Sequence, residues 1–308
     1  MKSVLQTAGL SRQAAHKQQK QQATFQEKLS GLILEVDILR REHPGCGVEK
    51  MYFTLRPDFI GRDKFIDLFM HLGYRLRYKK NYKRTTIPVQ SRYQNLIQGL
   101  MVQDRDIVWQ SDITYFQAGG QYYYLVFILD IYTKKILGYQ ASNHLRAAAN
   151  LSALKMAIKN ANYRMENLIH HSDRGSQYID NEYIALLRQN KIQISMGEKA
   201  QDNAYAERIN GTIKNEYLAY WEPQNLKELQ KMLKRAVNHY NKNRIHNELP
   251  GHKTPEQFEK TLINLDSQKR PTVIIYAEGN YKVKVASSHF DFEPKERPQA
   301  HNCPIEIC

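Results

Sequence analysis

An α/β fold, a mixed five-stranded sheet flanked by helices, is what the sequence predicts, and three observations carry the prediction. From about residue 104 onward, short runs rich in Val, Ile, Tyr and Phe alternate with longer runs whose apolar residues recur at helical spacing. The first three short runs are joined by turns too brief for a crossover, so they form an antiparallel meander. Two further short runs then follow, each flanked by helical patterns.

RDIVWQSDITYFQ (105–117) reads as the first strand, QYYYLVFILDI (121–131) as the second and KKILGYQAS (134–142) as the third. LRAAANLSALKMAIKNA (145–161) is a helix with Leu151, Leu154, Ile158 and Ala161 on one face, and NLIHHSD (167–173) is a short buried strand. DNEYIALLRQNK (180–191) is a helix capped by Asp180, and KIQISM (191–196) a strand alternating Ile192, Ile194 and Met196. A last core helix starts near Asp202 and Asn203 in DNAYAERINGTIKNEYL. The order βββαβαβα is that of a ribonuclease-H-like fold.

Upstream, residues 3–20 read as a short helical stretch with a second helix starting at a Ser11 cap, followed by a polar linker, HKQQKQQ (16–22). Leu29, Leu32, Ile33 and Val36 mark a helix that HPGCG (43–47) ends, and VEKMYFTL starts another. Residues 60–86 read as an amphipathic helix, with Phe65, Leu68, Phe69 and Leu72 on its apolar face, running into a basic arm. There Tyr74, Tyr78 and Tyr82 alternate with Arg75, Arg77, Lys79, Lys80, Lys83 and Arg84, a pattern that suits a nucleic-acid backbone with stacking. A solvated basic linker is the plainer reading. Downstream, Leu226, Leu229, Leu233, Val237 and Tyr240 keep register along a basic helix, Thr254 caps a short one, and TVIIYAEGNYKVKV suggests a hairpin across Glu278–Gly279–Asn280. The organisation expected is a basic helical DNA-binding or linker region (1–100), a catalytic core (101–265) and a C-terminal extension (266–308).

The charge is uneven. Of the formal +14, residues 1–100 hold 18 basic and 8 acidic side chains, so +10 lies in the first third, which suits a polyanionic partner. Cys46, Cys303 and Cys308 form no CxxC pair or zinc spacing, so neither a structural zinc nor an oxidising compartment is implied. No signal peptide or membrane span is evident, and a soluble, cytoplasmic protein is expected.

Three acids stand out by position. Asp112 lies inside the first strand among apolar and aromatic neighbours, where a carboxylate is costly unless paired or bound to metal. Asp173 directly follows the short fourth strand, and Glu207 lies one turn into the last core helix, with 33 residues between them. In the predicted fold the first and fourth strands are adjacent and parallel, so the acids converge at one end of the sheet, a set suited to hard divalent cations. Singly, each has a plainer reading: an edge aspartate, a turn cap, a helix-dipole acid. Lys214, two turns after Glu207, shares its face, as do Asn203 and Asn210. His171 is either a core residue or an orienting partner of the acids, and Arg174 and Gln177 are expected to order the loop around Asp173.

These phrases resemble the IS3-type insertion-sequence transposases, relatives of retroviral integrases. WQSDITY is similar to their first-aspartate motif, HHSDRGSQY to the second and SMGEKAQDNAYAERINGTIKNEY to the glutamate region. YNKNRIHNELPGHKTPEQF is similar to their closing pattern, and the likeness runs from about residue 25 to 262. One departure is the spacing of 33 residues between the second Asp and the Glu, two fewer than is common; it falls in the loop GEKAQ. The resemblance implies Mg²⁺ or Mn²⁺, two ions, on Asp112, Asp173 and Glu207, and a DNA contact near the cut end for Lys214. It implies cleavage at transposon ends and strand transfer into target DNA by a dimer or larger assembly. It also implies an upstream-frame helix-turn-helix partner. A ribonuclease-H-like nuclease and a domesticated DNA-binding protein of the same fold are the alternatives.

Overall fold

The computed structural model describes residues 12–76, 93–161, 165, 167–197, 200–275 and 284–285. Its centre is a five-stranded sheet of β2 (Val108–Ala118), β3 (Gln121–Asp130), β4 (Ile136–Ser142), β5 (Ile169–Ser172) and β6 (Gln193–Met196), in the order β4-β3-β2-β5-β6. β2, β3 and β4 pair antiparallel as the expected meander, while β5 and β6 join β2 in parallel. β3 reads as a continuous apolar run because both its faces are covered. Leu125, Phe127 and Leu129 pack on one side against Ile209, Ile213, Leu233 and Val237. Val126 and Ile128 pack on the other against Ala153, Leu154, Tyr183 and Leu187.

The covering helices are α4 (Ala147–Asn160), α5 (Asn181–Gln189), α6 (Ala204–Ile213) and α8 (Leu226–Lys242), with α7 (Ala219–Trp221) a single turn between the last two. Asp180 caps α5 as expected, accepting from the amides of Glu182 and Tyr183. In α4 the buried residues are Ala149, Asn150, Ala153, Leu154 and Ala157, whereas Leu151 and Ile158 lie at the margin. The reason is proximity: a Cβ on Gly138 would stand 2.1 Å from the Ala153 carbonyl oxygen, so this helix lies on β4 through small residues. The expected alternation in β6 is also only partial. Ser195 is buried beside Met196, while Ile194 is half-exposed.

The N-terminal region is built from α1 (Arg12–Glu42), α2 (Val48–Leu55) and α3 (Arg62–His71), which bury Leu29, Leu32, Val36, Met51, Phe65 and Phe69 together. HKQQKQQ is not a linker but part of the 31-residue α1. Gln, Lys and Ala are good helix formers, and the missing apolar period marks an exposed helix rather than a break. Ser11 lies outside the described residues. Nor does the next helix run as far as expected. It ends at His71, Gly73 turns the chain at φ 89°, and Leu72 is 48 % exposed. Tyr74 then folds back, its hydroxyl donating to Asp37 at 2.6 Å, so it braces the helices instead of opening a stacking arm. Arg75 is exposed; Arg77, Lys79, Lys80, Lys83, Arg84, Tyr78 and Tyr82 lie outside the described residues.

The turn expected at Glu278–Gly279–Asn280 lies outside the described residues, and the described strands on either side of it pair with a third strand rather than with each other. β7 (Val273–Ile274) runs antiparallel to β1 (Leu100–Val102), and β8 (Lys284–Val285) pairs parallel to the other side of β1. The strand between them comes from far upstream, which no local turn signal reveals. Ile97, Leu100, Val102 and Ile275 share an apolar cluster with Tyr132, Phe258 and Leu262, so the core gathers segments from both sides of the expected boundaries. Helix α9 (Pro255–Ile263) starts in a complete capping box between Thr254 and Gln257. Among the described residues no helix is long and apolar enough to cross a membrane.

Candidate active site

The parallel ladder between β2 and β5 runs from Val108 beside Ile169 to Ser111 beside Ser172. Asp112 and Asp173 are therefore the next residues on two adjacent central strands, where the chain of β5 leaves the sheet. Helix α6 is held at this end by β2 side chains. Gln110 donates from Nε2 to the Asp202 carbonyl at 2.8 Å and accepts from the Ala206 amide through Oε1 at 2.9 Å. Asn203 donates to the Ser111 carbonyl at 3.0 Å, and Asn210 donates to Asp112 Oδ2 at 2.6 Å. Lys214, at the end of α6, donates to Thr114 Oγ1 at 2.6 Å. Asn203, Glu207, Asn210 and Lys214 fall along one side of the helix, as their spacing predicts.

Beyond Lys214 the helix widens into a π turn, Lys214–Leu218. Such turns inside α-helices recur at functional sites. Within this turn Glu216 meets the N-terminal region and the segment after α8. Glu216 accepts two bonds from Arg244 at 2.7 Å, one from His43 at 2.6 Å, and one from Lys50 at 3.4 Å. Its backbone oxygen also takes the Gly45 amide at 2.8 Å, and a Cβ on Gly45 would stand 2.4 Å from the Glu216 Cα. Only glycine permits that approach.

The electrostatics of the three acids are coupled. Burial pushes the Asp112 carboxyl well above the usual carboxylate range, and the charges of Asp173 and Glu207 push it further, against Lys214 and the Ile113 amide. Burial also raises Asp173, opposed by a 3.0 Å bond from the Gly175 amide. Glu207 is raised by its partial removal from water and then by Asp173. Lys214 is lowered by burial and raised by Asp112. Negative charge thus accumulates here faster than Lys214 neutralises it. Among the described residues no three His, Cys, Asp or Glu side chains are drawn close enough to hold an ion, and Asp112 is instead engaged by Asn210.

The remaining expected residues divide. His171 is fully buried, with Nδ1 2.8 Å from Ser195 Oγ, and burial pushes its imidazole down to about 4. It is a neutral brace between β5 and β6. Arg174 donates to the Gly197 carbonyl at 3.0 Å, and Gln177 Nε2 stands 3.5 Å from the Leu145 carbonyl oxygen. A Cβ on Gly175 would stand 3.0 Å from both Asp173 Oδ1 and Gln177 Oε1, so the tightness of this loop depends on glycine. Sequence reading passed over Gln110 and Thr114. The one available signal was a polar residue, Gln110, following a fully buried Trp109 inside an apolar strand.

Residues 103–201 and 188–255 match two family models, each described as an integrase core domain. The chain is 32 % identical over 209 residues to the insertion element IS600 uncharacterized 31 kDa protein of Shigella sonnei, covering 65 % of this chain and 75 % of that one. It is 29 % identical over 214 residues to the putative transposase for insertion sequence element IS986/IS6110 of Mycobacterium tuberculosis, covering 65 % and 76 %. It is 28 % identical over 256 residues to the transposase for insertion sequence element IS904 of Lactococcus lactis, covering 79 % and 96 %. The HTLV-2 integrase catalytic core domain in complex with magnesium aligns over 54 % of this chain and 99 % of that one, at 21 % identity and a TM-score of 0.40, too loose a likeness to argue from. With its integrase core and these relatives, the chain belongs to the IS3-type insertion-element transposases, in the retroviral integrase superfamily.

Proposed function

We propose that this transposase cuts and joins DNA with Asp112, Asp173 and Glu207 as one catalytic triad. The observation that carries the reading is positional. Two acids directly follow the paired ends of adjacent parallel strands, and a third rides a helix that Gln110, Asn203 and Asn210 tie across that end. Burial raises all three carboxyls, neighbouring acids raise Asp112 and Glu207 further, and a divalent cation would relieve this; an all-oxygen donor set suits Mg²⁺ or Mn²⁺. Asp112, Asp173 and Glu207, too far apart here to enclose an ion, would hold two such ions once drawn together. Bound there, the metal would supply activation of a water or a DNA 3′-hydroxyl and stabilisation of the leaving oxygen.

The chain's own residues do the positioning, which carries most of the catalysis in phosphoryl transfer. Asn210 fixes the Asp112 carboxylate, the Gly175 amide fixes that of Asp173, and Lys214 offers a cation beside them to the DNA backbone. DNA is the substrate, as transposon end and as target, and two ends require a dimer or larger assembly. The basic N-terminal third supplies phosphate contacts, residues 101–265 the chemistry, and a helix-turn-helix product of an upstream frame the end recognition. Strand-transfer and gel-shift assays on the same preparations test the triad. Asp112→Asn, Asp173→Asn and Glu207→Gln are each expected to abolish cleavage and joining while retaining DNA affinity. Full activity in any one would end the reading, and hydrolysis without joining would favour the nuclease alternative.

A further inference from the structure

The side of helix α6 turned away from Glu207 borders a cavity. At 3.6 residues per turn, Tyr205, Arg208 and Thr212 lie roughly opposite Glu207, Asn210 and Lys214. They line a cavity of about 100 Å³, which α8 and the segment after it close with Tyr240, Arg244 and His246. Lys50 enters from α2 and Lys134 from the β3–β4 turn. Four basic side chains, Lys50, Lys134, Arg208 and Arg244, thus meet around one small space. Two acids partner them: Glu216 takes Arg244 and Lys50, and Glu248 takes Arg208 and, at 3.7 Å, Lys134. The basic groups outnumber the acids paired with them, although Asp130 also acts on Lys134 from within the core.

A second observation points to a ligand. Tyr240 is fully buried, and among the described residues its hydroxyl has no hydrogen-bond partner. An orphaned buried hydroxyl is costly, and an acceptor in the cavity would satisfy it. Room exists, since about 100 Å³ is several times what one water needs. The local field has the matching sign. Burial, and then Arg244, Lys50 and Lys134, push the His246 imidazole down to about 2, while burial pushes Lys134 down to about 8 against Glu248. Depth is graded too. The side chains of Lys134 and Arg244 are 9 % and 10 % exposed, whereas Arg208 and Glu248 stand at the rim at 73 % and 43 %.

We propose that this cavity binds a phosphate group, with Lys134 and Arg244 as its deep cations, Tyr240 as a neutral donor and Glu248 as the acid that competes at the rim. The phosphate belongs to a nucleic-acid backbone or is a free ion. The nucleic-acid source rests on the DNA-joining reading, whereas occupancy by inorganic phosphate does not depend on the triad at all.

The test measures inorganic phosphate affinity of the full chain by calorimetry at fixed ionic strength, for the natural protein, Tyr240→Phe and Glu248→Gln. Tyr240→Phe breaks no hydrogen bond within the protein, so its melting temperature should not fall, yet phosphate should bind roughly tenfold or more weakly. Glu248→Gln removes the competing charge and should tighten binding. Duplex affinity of the same variants, with and without saturating phosphate against chloride at equal ionic strength, identifies the source. Duplex binding that phosphate competes away, and that Tyr240→Phe weakens, assigns a nucleic-acid phosphate. Duplex binding indifferent to both assigns a free phosphate ion. Absence of measurable phosphate binding, or equal affinity in all three proteins, overturns the site.

Discussion

Asn210 donates its side-chain amide to Asp112 Oδ2 at 2.6 Å, so the helix that carries Glu207 is fastened to the central strand at the carboxylate itself. One bond sets both the orientation of the first acid and the distance of the helix bearing the third. Asn210→Ala should therefore lower strand transfer by roughly 10–100-fold, the range typical of partners that orient metal-binding carboxylates. The fold should survive, as read by circular dichroism. Unchanged turnover would make Asn210 a packing residue only.

Metal-free stability should respond to the acids in a way opposite to most charged residues. A carboxyl raised on folding is destabilising once ionised: its penalty is absent below its unfolded value and grows as pH rises toward the folded one. Asp112→Asn is therefore expected to raise the melting temperature at neutral pH in chelator. Mg²⁺ should raise the melting temperature of the natural protein by mass action and fail to do so for Asp112→Asn or Asp173→Asn. An equal Mg²⁺ shift in all three proteins would remove these acids as ligands.

Lys214 is held by Thr114 at 2.6 Å, within reach of the charge of Asp112 on the central strand. Lys214→Ala should weaken binding to the cut end and reduce the slope of log affinity against log salt by about one phosphate's worth. An unaltered slope would leave it without a DNA contact.

The Glu216 cluster predicts acid lability. Hydrogen bonds from Arg244 and His43 hold the Glu216 carboxyl far below its ordinary range despite burial. Its stabilisation is therefore present above the unfolded carboxylate value and lost as pH falls below it. Burial pushes His43 down to about 4, so its contribution has the same sign and is lost between the ordinary histidine range and about 4. Urea midpoints should decline steadily on acidification from pH 7 toward 4. Glu216→Ala strands Arg244 and Lys50, and breaking a buried pair in this way costs about 3–5 kcal/mol. A Glu216→Ala protein with natural stability at pH 7 would contradict the role given to this carboxylate.

Selective recognition of the element's ends should need the upstream partner. Competition binding at fixed salt, with end-containing and random duplexes, is expected to show modest preference for the chain alone and restored selectivity with the partner. Preference of ~10³-fold by the isolated chain, the range of specific binders, would locate the reader within this sequence.

The strand order and the helix starts at Asp180 and Thr254 were legible from the sequence, and the positions of the proposed acids stood out there, because each is encoded locally. Alternation reports which face is buried, caps report where a helix begins, and an Asp inside an apolar strand reports an unusual demand. Tertiary structure alone decided what those patterns meet. HKQQKQQ has no apolar period yet is helical, and β7 and β8 pair with β1 across more than 170 residues instead of with each other. His171 becomes a neutral brace only because Ser195 stands 2.8 Å away. Glu216 draws its partners from positions 28, 166 and 173 residues distant. A sequence period records that a side chain is buried. It holds no term for the partner, because buried charges and hydrogen bonds are satisfied by proximity in space, which packing of the whole chain sets.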